Sequence, residues 1–286
     1  MISELHPFIG FVHSTSEPSD VTLGSPRVLA RRFAAMLLGA LVPVSVLLLA
    51  ELANRLGWIT SNLLPAPSDV GRALFELGWH TVAVHVAAST ARVAAGYALG
   101  AGLALVVGSL VGLSRTARAI LDPSFQALRA IPSLAWVPLL LLWLGIDEAP
   151  KLAMIAIGAF FPVYMGVVAG IRGVDGKLVE VARLMRLPPV ALVRRVLLPA
   201  ALPSVFTGLR NGLSLAWMFM VAAELIAATR GLGYLLTDGR ETGRADLVLA
   251  AIVLLACLGK ASDAAMARIE RRALAWRDVF DDGEPR

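Results

Sequence analysis

Six stretches of about 20 predominantly apolar residues run through this 286-residue chain, and no other feature limits its fold as strongly. That length is what an α-helix needs to cross a bilayer core of about 30 Å, and in lipid only helices and closed barrels satisfy their own backbone hydrogen bonds. The stretches are residues 33–53, with Pro43 inside, then 93–113, 125–144, 152–171, 202–228 and 247–266. The second belongs to a longer run, 80–112, that would make a helix of about 50 Å. Arg92 is read as its divider, leaving 81–90 as a flanking helix. The chain is 57% hydrophobic and 16% charged, against about 45–50% and 25% in soluble domains, which excludes a water-soluble fold, disorder and a coiled coil. The expected fold is all-α, a polytopic membrane protein with six transmembrane helices.

Six crossings put both termini on one side, and the basic residues say which. Arg27, Arg31 and Arg32 precede the first span. Arg115, Arg118 and Arg129 join the second and third; Arg172, Lys177, Arg183, Arg186, Arg194 and Arg195 join the fourth and fifth; Arg268, Arg271, Arg272, Arg277 and Arg286 follow the sixth. The opposite side has only Arg55, Arg72, Lys151, Arg230, Arg240 and Arg244. The first set is therefore expected in the cytoplasm, giving a cytoplasmic tail 1–32, a six-helix domain 33–267 and a cytoplasmic tail 268–286. A cleaved signal peptide is not expected, because the first apolar stretch exceeds an h-region of about 7–15 residues. The net charge of +5 comes from these flanks and not from a basic face interleaved with aromatics, so nucleic acid is not an expected partner.

No catalytic centre is apparent. Lys177 and Lys260 follow glycines but lack the remainder of a P-loop. Cys257 is the single cysteine, and His80 and His85 lie five apart instead of four, so no metal site is expected. An ion-coupled secondary transporter would carry midplane charges and paired broken helices; a membrane enzyme would carry a nucleophile or acid–base cluster near one interface. Neither pattern stands out.

The segment 174–200 is the informative one. Leu178, Val181, Ala182 and Met185 fall at helical spacing, Pro188 and Pro189 stop that helix and open another, and Val190, Val193 and Leu197 share a face of a second piece expected to end at Pro199. Two readings follow from the residues: a docking element for a partner, or a helix pair lying on anionic headgroups.

The pattern Glu180-x-Ala182, with Leu198-Pro199 ending nineteen residues after the glutamate, resembles the EAA motif of ABC importer permeases. Val181 replaces the middle alanine. Arg186 stands where the family usually has glycine, so the bend is expected from Pro188-Pro189. The resemblance runs from about residue 63 to 276 and includes Leu64-Pro65-Ala66-Pro67-Ser68, Leu121-Asp122-Pro123, Ile131-Pro132, Phe160-Phe161-Pro162, Ala223-Glu224 and Gly231-Leu232-Gly233-Tyr234. These are similar to the nitrate, sulfonate and taurine branch of type I permeases, with the carboxyl stretch Leu258-Gly259-Lys260 and Glu270-Arg271-Arg272 most like aliphatic sulfonate members. The resemblance implies a homodimer in a bacterial inner membrane. It also implies ATP-binding subunits that hold the ATP, a periplasmic or lipid-anchored solute-binding protein, and no cofactor of the permease's own. Glu180, Val181, Ala182, Met185, Arg186 and Pro199 would be the coupling residues.

Ionisable groups inside a span are costly and tend to face a pathway or partner. Glu224, near the end of the fifth span, is read either as a gate that pairs with Arg230 or an amide of 231–233, or as an interfacial carboxylate snorkelling to water. Arg129, Asn211 and Ser214, with Gln126 and Ser133, are candidate pathway residues that could meet an anion; helix–helix hydrogen bonds explain Asn211 and the serines equally. Gly96/Gly100 and Gly108/Gly112 lie on one face of the second span and are expected to let helix backbones approach. Residues 64–79 open with Pro65-Ala66-Pro67 and a Ser68 cap, then form an amphipathic surface helix.

Overall fold

The computed structural model describes residues 26–60 and 63–276; of the expected tails, 1–25 and 277–286 lie outside the described residues. Every regular element among the described residues is helical. In chain order they are α1 (Pro26–Arg55), α2 (Pro67–Leu77), α3 (Trp79–Leu113), α4 (Arg115–Ala130), a 3₁₀ turn (Ser133–Trp136) running into α5 (Val137–Leu144), and α6 (Glu148–Arg172). Then follow α7 (Gly176–Leu184), α8 (Pro189–Leu192), a π-helical turn (Val193–Leu197), α9 (Leu198–Ala227), α10 (Leu232–Glu241) and α11 (Ala245–Ala273). Residues 49–279 form one compact unit, and α1 up to Leu48 belongs to another.

Among the described residues four helical stretches are long and apolar enough to cross a membrane: Trp79–Leu113, Glu148–Arg172, Pro189–Ile226 and Ala245–Ala273. The third expected span, 125–144, is not a single helix. It is shared by α4 and the 133–144 segment, which are bent by 90° against each other. Ile131 precedes Pro132, and the proline ring disfavours helical geometry in its neighbour; Ile131 is extended, at φ −76° and ψ 125°.

Three further boundaries differ from expectation. Arg92 divides nothing: α3 continues through it for 35 residues, about 52 Å, because its guanidinium is buried against protein carboxylates and needs no exit from the helix bundle. Nor does Pro199 end the second piece of the 174–200 segment. Helix runs unbroken from Pro189 to Ile226, because the Leu198 N–H donates to Val193 O across a π-helical turn. That wider turn accommodates a proline with no N–H of its own. At α2 the N-cap is Ala66, not Ser68. Ser68 instead donates from its N–H and Oγ to the Glu51 carboxylate, at 3.1 and 2.9 Å.

Helix α6 is the central element, packed between α3 and α9. Its residues Ile155, Ala159, Val163, Tyr164 and Val167 are almost fully buried. Both GxxxG pairs of α3 face it. A Cβ on Gly96 would sit 2.6 Å from Ile155 Cβ, one on Gly108 would sit 2.9 Å from Val167 Cβ, and one on Gly100 would enter the Ala156 backbone. On the other face, Gly166 and Gly208 meet so closely that a Cβ on either would lie within 3 Å of the other's Cα. Small residues set these distances because helices in lipid associate by close packing and gain little from burying apolar surface. The opposite face of α3 presents Leu99, Leu103, Val106 and Leu110 outward, an apolar stripe that suits acyl chains and not water.

Candidate functional site

The α6 helix, about 37 Å long, separates two unlike constructions. At its Arg172 end lies the 174–200 segment. At its Glu148 end lies a buried cluster of charges.

The cluster begins on α3, where His85, Ser89 and Arg92 share a face at spacings of four and three residues, and all three are buried. Arg92 Nε and Nη2 reach the two oxygens of Glu148 at 2.7 and 2.8 Å. Its Nη1 donates to Glu224 Oε1 and to the Arg230 carbonyl, both at 2.7 Å. Lys151 adds a bond to Glu148 at 3.0 Å, so two cations face two carboxylates. Glu224, with 1% of its surface exposed, also accepts from Ser89 Oγ at 2.8 Å and from the Gly233 N–H at 2.8 Å.

These side chains close the amino end of α10. The first N–H groups of any helix lack intrahelical partners. Here Gly231 donates to His85 Nδ1 at 2.9 Å, Leu232 to Ser89 Oγ at 2.8 Å, and Gly233 to Glu224. A carboxylate at that end also complements the helix dipole. Gly231 lies at φ +132° and a Cβ there would strike the Glu224 carboxylate, so only glycine fits. Glu224 is thus an interior group. Its charged partner is Arg92, not the Arg230 side chain, which is exposed and contributes its carbonyl alone. Arg92, Glu148, Lys151, Ser89 and His85 are absent from the residues singled out in the sequence for a role in the spans. The signal was present, since an arginine within a long apolar run marks a paired or functional group.

At the other end, Asp175 caps α7 by accepting from the Lys177 N–H at 2.9 Å. The helix stops in a Schellman motif, with Arg186 N–H donating to Arg183 O and Leu187 N–H to Ala182 O at 2.9 and 3.2 Å. Arg186 holds the left-handed position, φ +55°, the one non-glycine residue with positive φ among those described. The bend is therefore made at Arg186 itself, and Pro188-Pro189 only prevent α7 from resuming. Glu180, Val181, Leu184, Met185 and Val190 are exposed on this segment. Ala182 is not: it is 3% exposed and packs inside its own chain, so it does not share the outward face expected of it with Val181 and Met185. Pro199 is half-buried within helix.

Between the two ends, α4, α6 and α9 line an open groove of about 680 Å³. Arg129, Ser133 and Asn211 come together on its walls. Ser214 is elsewhere, its Oγ turned to the Arg210 carbonyl at 3.2 Å, and Gln126 contacts Met165 Sδ at 3.8 Å. Arg129, in the last turn of α4, is on the groove wall, and Lys151 belongs to the buried cluster; leaving both out of the count of flanking cations keeps its bias unchanged in sign.

The sequence profile of binding-protein-dependent transport system inner membrane components matches residues 100–274. The chain is 40% identical to SsuC of Bacillus subtilis over 85% of its length and 88% of that protein's. It is 39% identical to SsuC of Escherichia coli over 84% and 91%; both are named for aliphatic sulfonate transport. Identity to TauC of Escherichia coli, a taurine transport system permease, is 35% over 76% of this chain and 82% of that one. In three dimensions it matches a chain of the inward-facing MetNI methionine ABC transporter with TM-score 0.58 and 23% identity, over 69% of this chain and 98% of that one. The chain belongs to the family of binding-protein-dependent transport system inner membrane components: it is a multi-pass inner-membrane permease of an ABC importer. The broken helix at Ile131-Pro132 is accordingly a feature of a permease and not the mark of an ion-coupled carrier.

Proposed function

We propose that the chain imports a small organic anion of the sulfonate class as a homodimer. In this reading each subunit has six spans and cytoplasmic termini, ATP is bound and hydrolysed by two separate ATPase subunits, and a periplasmic or lipid-anchored binding protein delivers the solute. The 174–200 segment docks on the ATPase. Glu180, Val181, Met185 and Arg186 face it, with Ala182 and Pro199 holding the segment from within, and α6 and α9 connect it rigidly to the charge cluster. ATP binding moves the docked segments together. The importer then passes to an outward-open state in which the contacts of Glu224 with Arg92 and with the amino end of α10 are given up. ATP thereby biases a two-state equilibrium, and the cluster sets the resting position of that equilibrium. Arg129 and Asn211 line the path, and Ser214 stands one helical turn from Asn211 on α9.

The observation that carries docking is the exposed apolar set Val181, Leu184 and Met185 on a capped, bent element that spans nothing. Val181→Glu is the test, because this side chain is exposed and its replacement leaves the interior intact. The variant should insert normally yet lose ATPase copurification and solute uptake. Normal uptake with Val181→Glu would refute docking at this surface.

A further inference from the structure

We propose that the groove between α4, α6 and α9 is a solute site in the permease itself, in which Arg129 binds the acidic head of a small organic anion midway along the bundle. The proposal rests on the importer reading and names what that path recognises.

The depth of Arg129 follows from how α4 climbs along α6. Tyr164 Oη donates to Asp122 Oδ1 at 2.8 Å, the Phe125 and Phe160 rings lie 5.5 Å apart, and Gln126 contacts Met165. Arg129 comes nearly one turn after Gln126 and shares the groove with Gly158 and Phe161, at the middle of Glu148–Arg172. Arg92 within α3 and Arg210 within α9 are neutralised, the first by Glu148 and Glu224 and the second by Asp263 and Glu270, whereas Arg129 stands in the last turn of α4. Arg129 makes no ion pair or hydrogen bond with any described residue. Arg129 is exposed in the open groove and arginine keeps its proton there, so its charge is met by water or by a counter-ion.

The walls favour the counter-ion. No acidic side chain among the described residues lines the groove, whereas Ser133, Ser204 and Asn211 bring hydrogen-bonding groups that no other described residue engages. The remaining surface is apolar, with Phe161, Met165, Met218 and Phe219. A planar guanidinium with hydroxyl and amide donors suits the oxygens of a sulfonate or carboxylate, and the apolar surface suits a short alkyl tail. The volume of about 680 Å³ holds such an ion with several waters.

The test uses the full-length permease with its ATPase in nanodiscs, without binding protein, titrated calorimetrically with ethanesulfonate and with uncharged dimethyl sulfone. The wild-type complex should bind ethanesulfonate and not the sulfone. Arg129→Gln should weaken binding roughly tenfold or more, the loss of a charge-assisted hydrogen bond, while assembly with the ATPase persists; Arg129→Lys should recover part of the affinity. Absence of wild-type binding, equal binding of the sulfone, or unchanged affinity in Arg129→Gln would each overturn the proposal. If Arg129→Gln does not assemble, Asn211→Leu decides: weaker binding supports the site and unchanged affinity overturns it. A permease that copurifies with no ATPase would refute the importer reading instead, and the affinity comparison at Arg129 would still decide the anion site.

Discussion

Replacing Glu224 with glutamine removes one charge and turns one acceptor oxygen into a donor. The consequences can be followed atom by atom. The carboxylate accepts from Arg92 and Ser89 on Oε1 and from the Gly233 N–H on Oε2. If the amide oxygen stays on Arg92, its NH₂ faces the Gly233 N–H, donor against donor. If it turns to Gly233, the NH₂ faces the Arg92 guanidinium. Either way one charge-assisted bond, about 1.5–3 kcal/mol, is lost and one buried donor is left unpaired, at about 1–3 kcal/mol. The sum approaches the roughly 3–5 kcal/mol typical of breaking a buried ion pair. If the cluster is intact only in the resting state, the whole cost falls on that state. The equilibrium then moves toward the outward-open form by about two to four powers of ten. The assay is ATP hydrolysis by the reconstituted importer without binding protein, which should rise well above wild type. A double-mutant cycle with Arg92→Gln separates gating from folding damage, because the double variant should lose less than the sum of the single ones. Basal hydrolysis unchanged in Glu224→Gln, with normal uptake, would refute the gate.

Arg186→Gly should relieve a left-handed backbone of roughly 1 kcal/mol without moving the Schellman bonds. The expected result is a slightly raised thermal midpoint of the permease in detergent; a lowered midpoint would mean that the Arg186 side chain matters more than its backbone. Gly100→Val should drive α3 away from Ala156. Purified yield and thermal midpoint should fall sharply while membrane insertion persists, because insertion depends on hydropathy and packing on the missing Cβ. Wild-type stability in Gly100→Val would contradict the close approach of α3 and α6.

Composition and period were enough to establish an all-helical membrane protein. They also located the helical cores of α6, α9 and α11, because hydropathy is a local property summed over about 20 residues. The amphipathic bend after Val174 and the small-residue face of α3 were legible for the same reason. Each is a pattern along one helix.

Hydropathy did not reveal what depends on partners far along the chain. Arg92 and Glu224 are separated by 132 residues and His85 and Gly231 by 146. Arg92 therefore looked like a helix divider and Glu224 like either a surface carboxylate or a gate. Only their burial against each other, at the amino end of α10, makes both tolerable in the bundle. The left-handed turn at Arg186 escaped notice because arginine has no preference for that conformation, and the Schellman bonds to Ala182 and Arg183 impose it. Ala182 turned inward for a related reason: a short helix shows which residues share a face, and tertiary packing chooses the face that is covered. Arg129 was read both as a flanking cation and as a candidate pathway residue, because an uninterrupted apolar reading of 125–144 concealed the turn at Ile131-Pro132. The tertiary structure sets that arginine opposite the middle of α6, since a charge's depth is fixed by the helix it lies against and not by its place in the sequence.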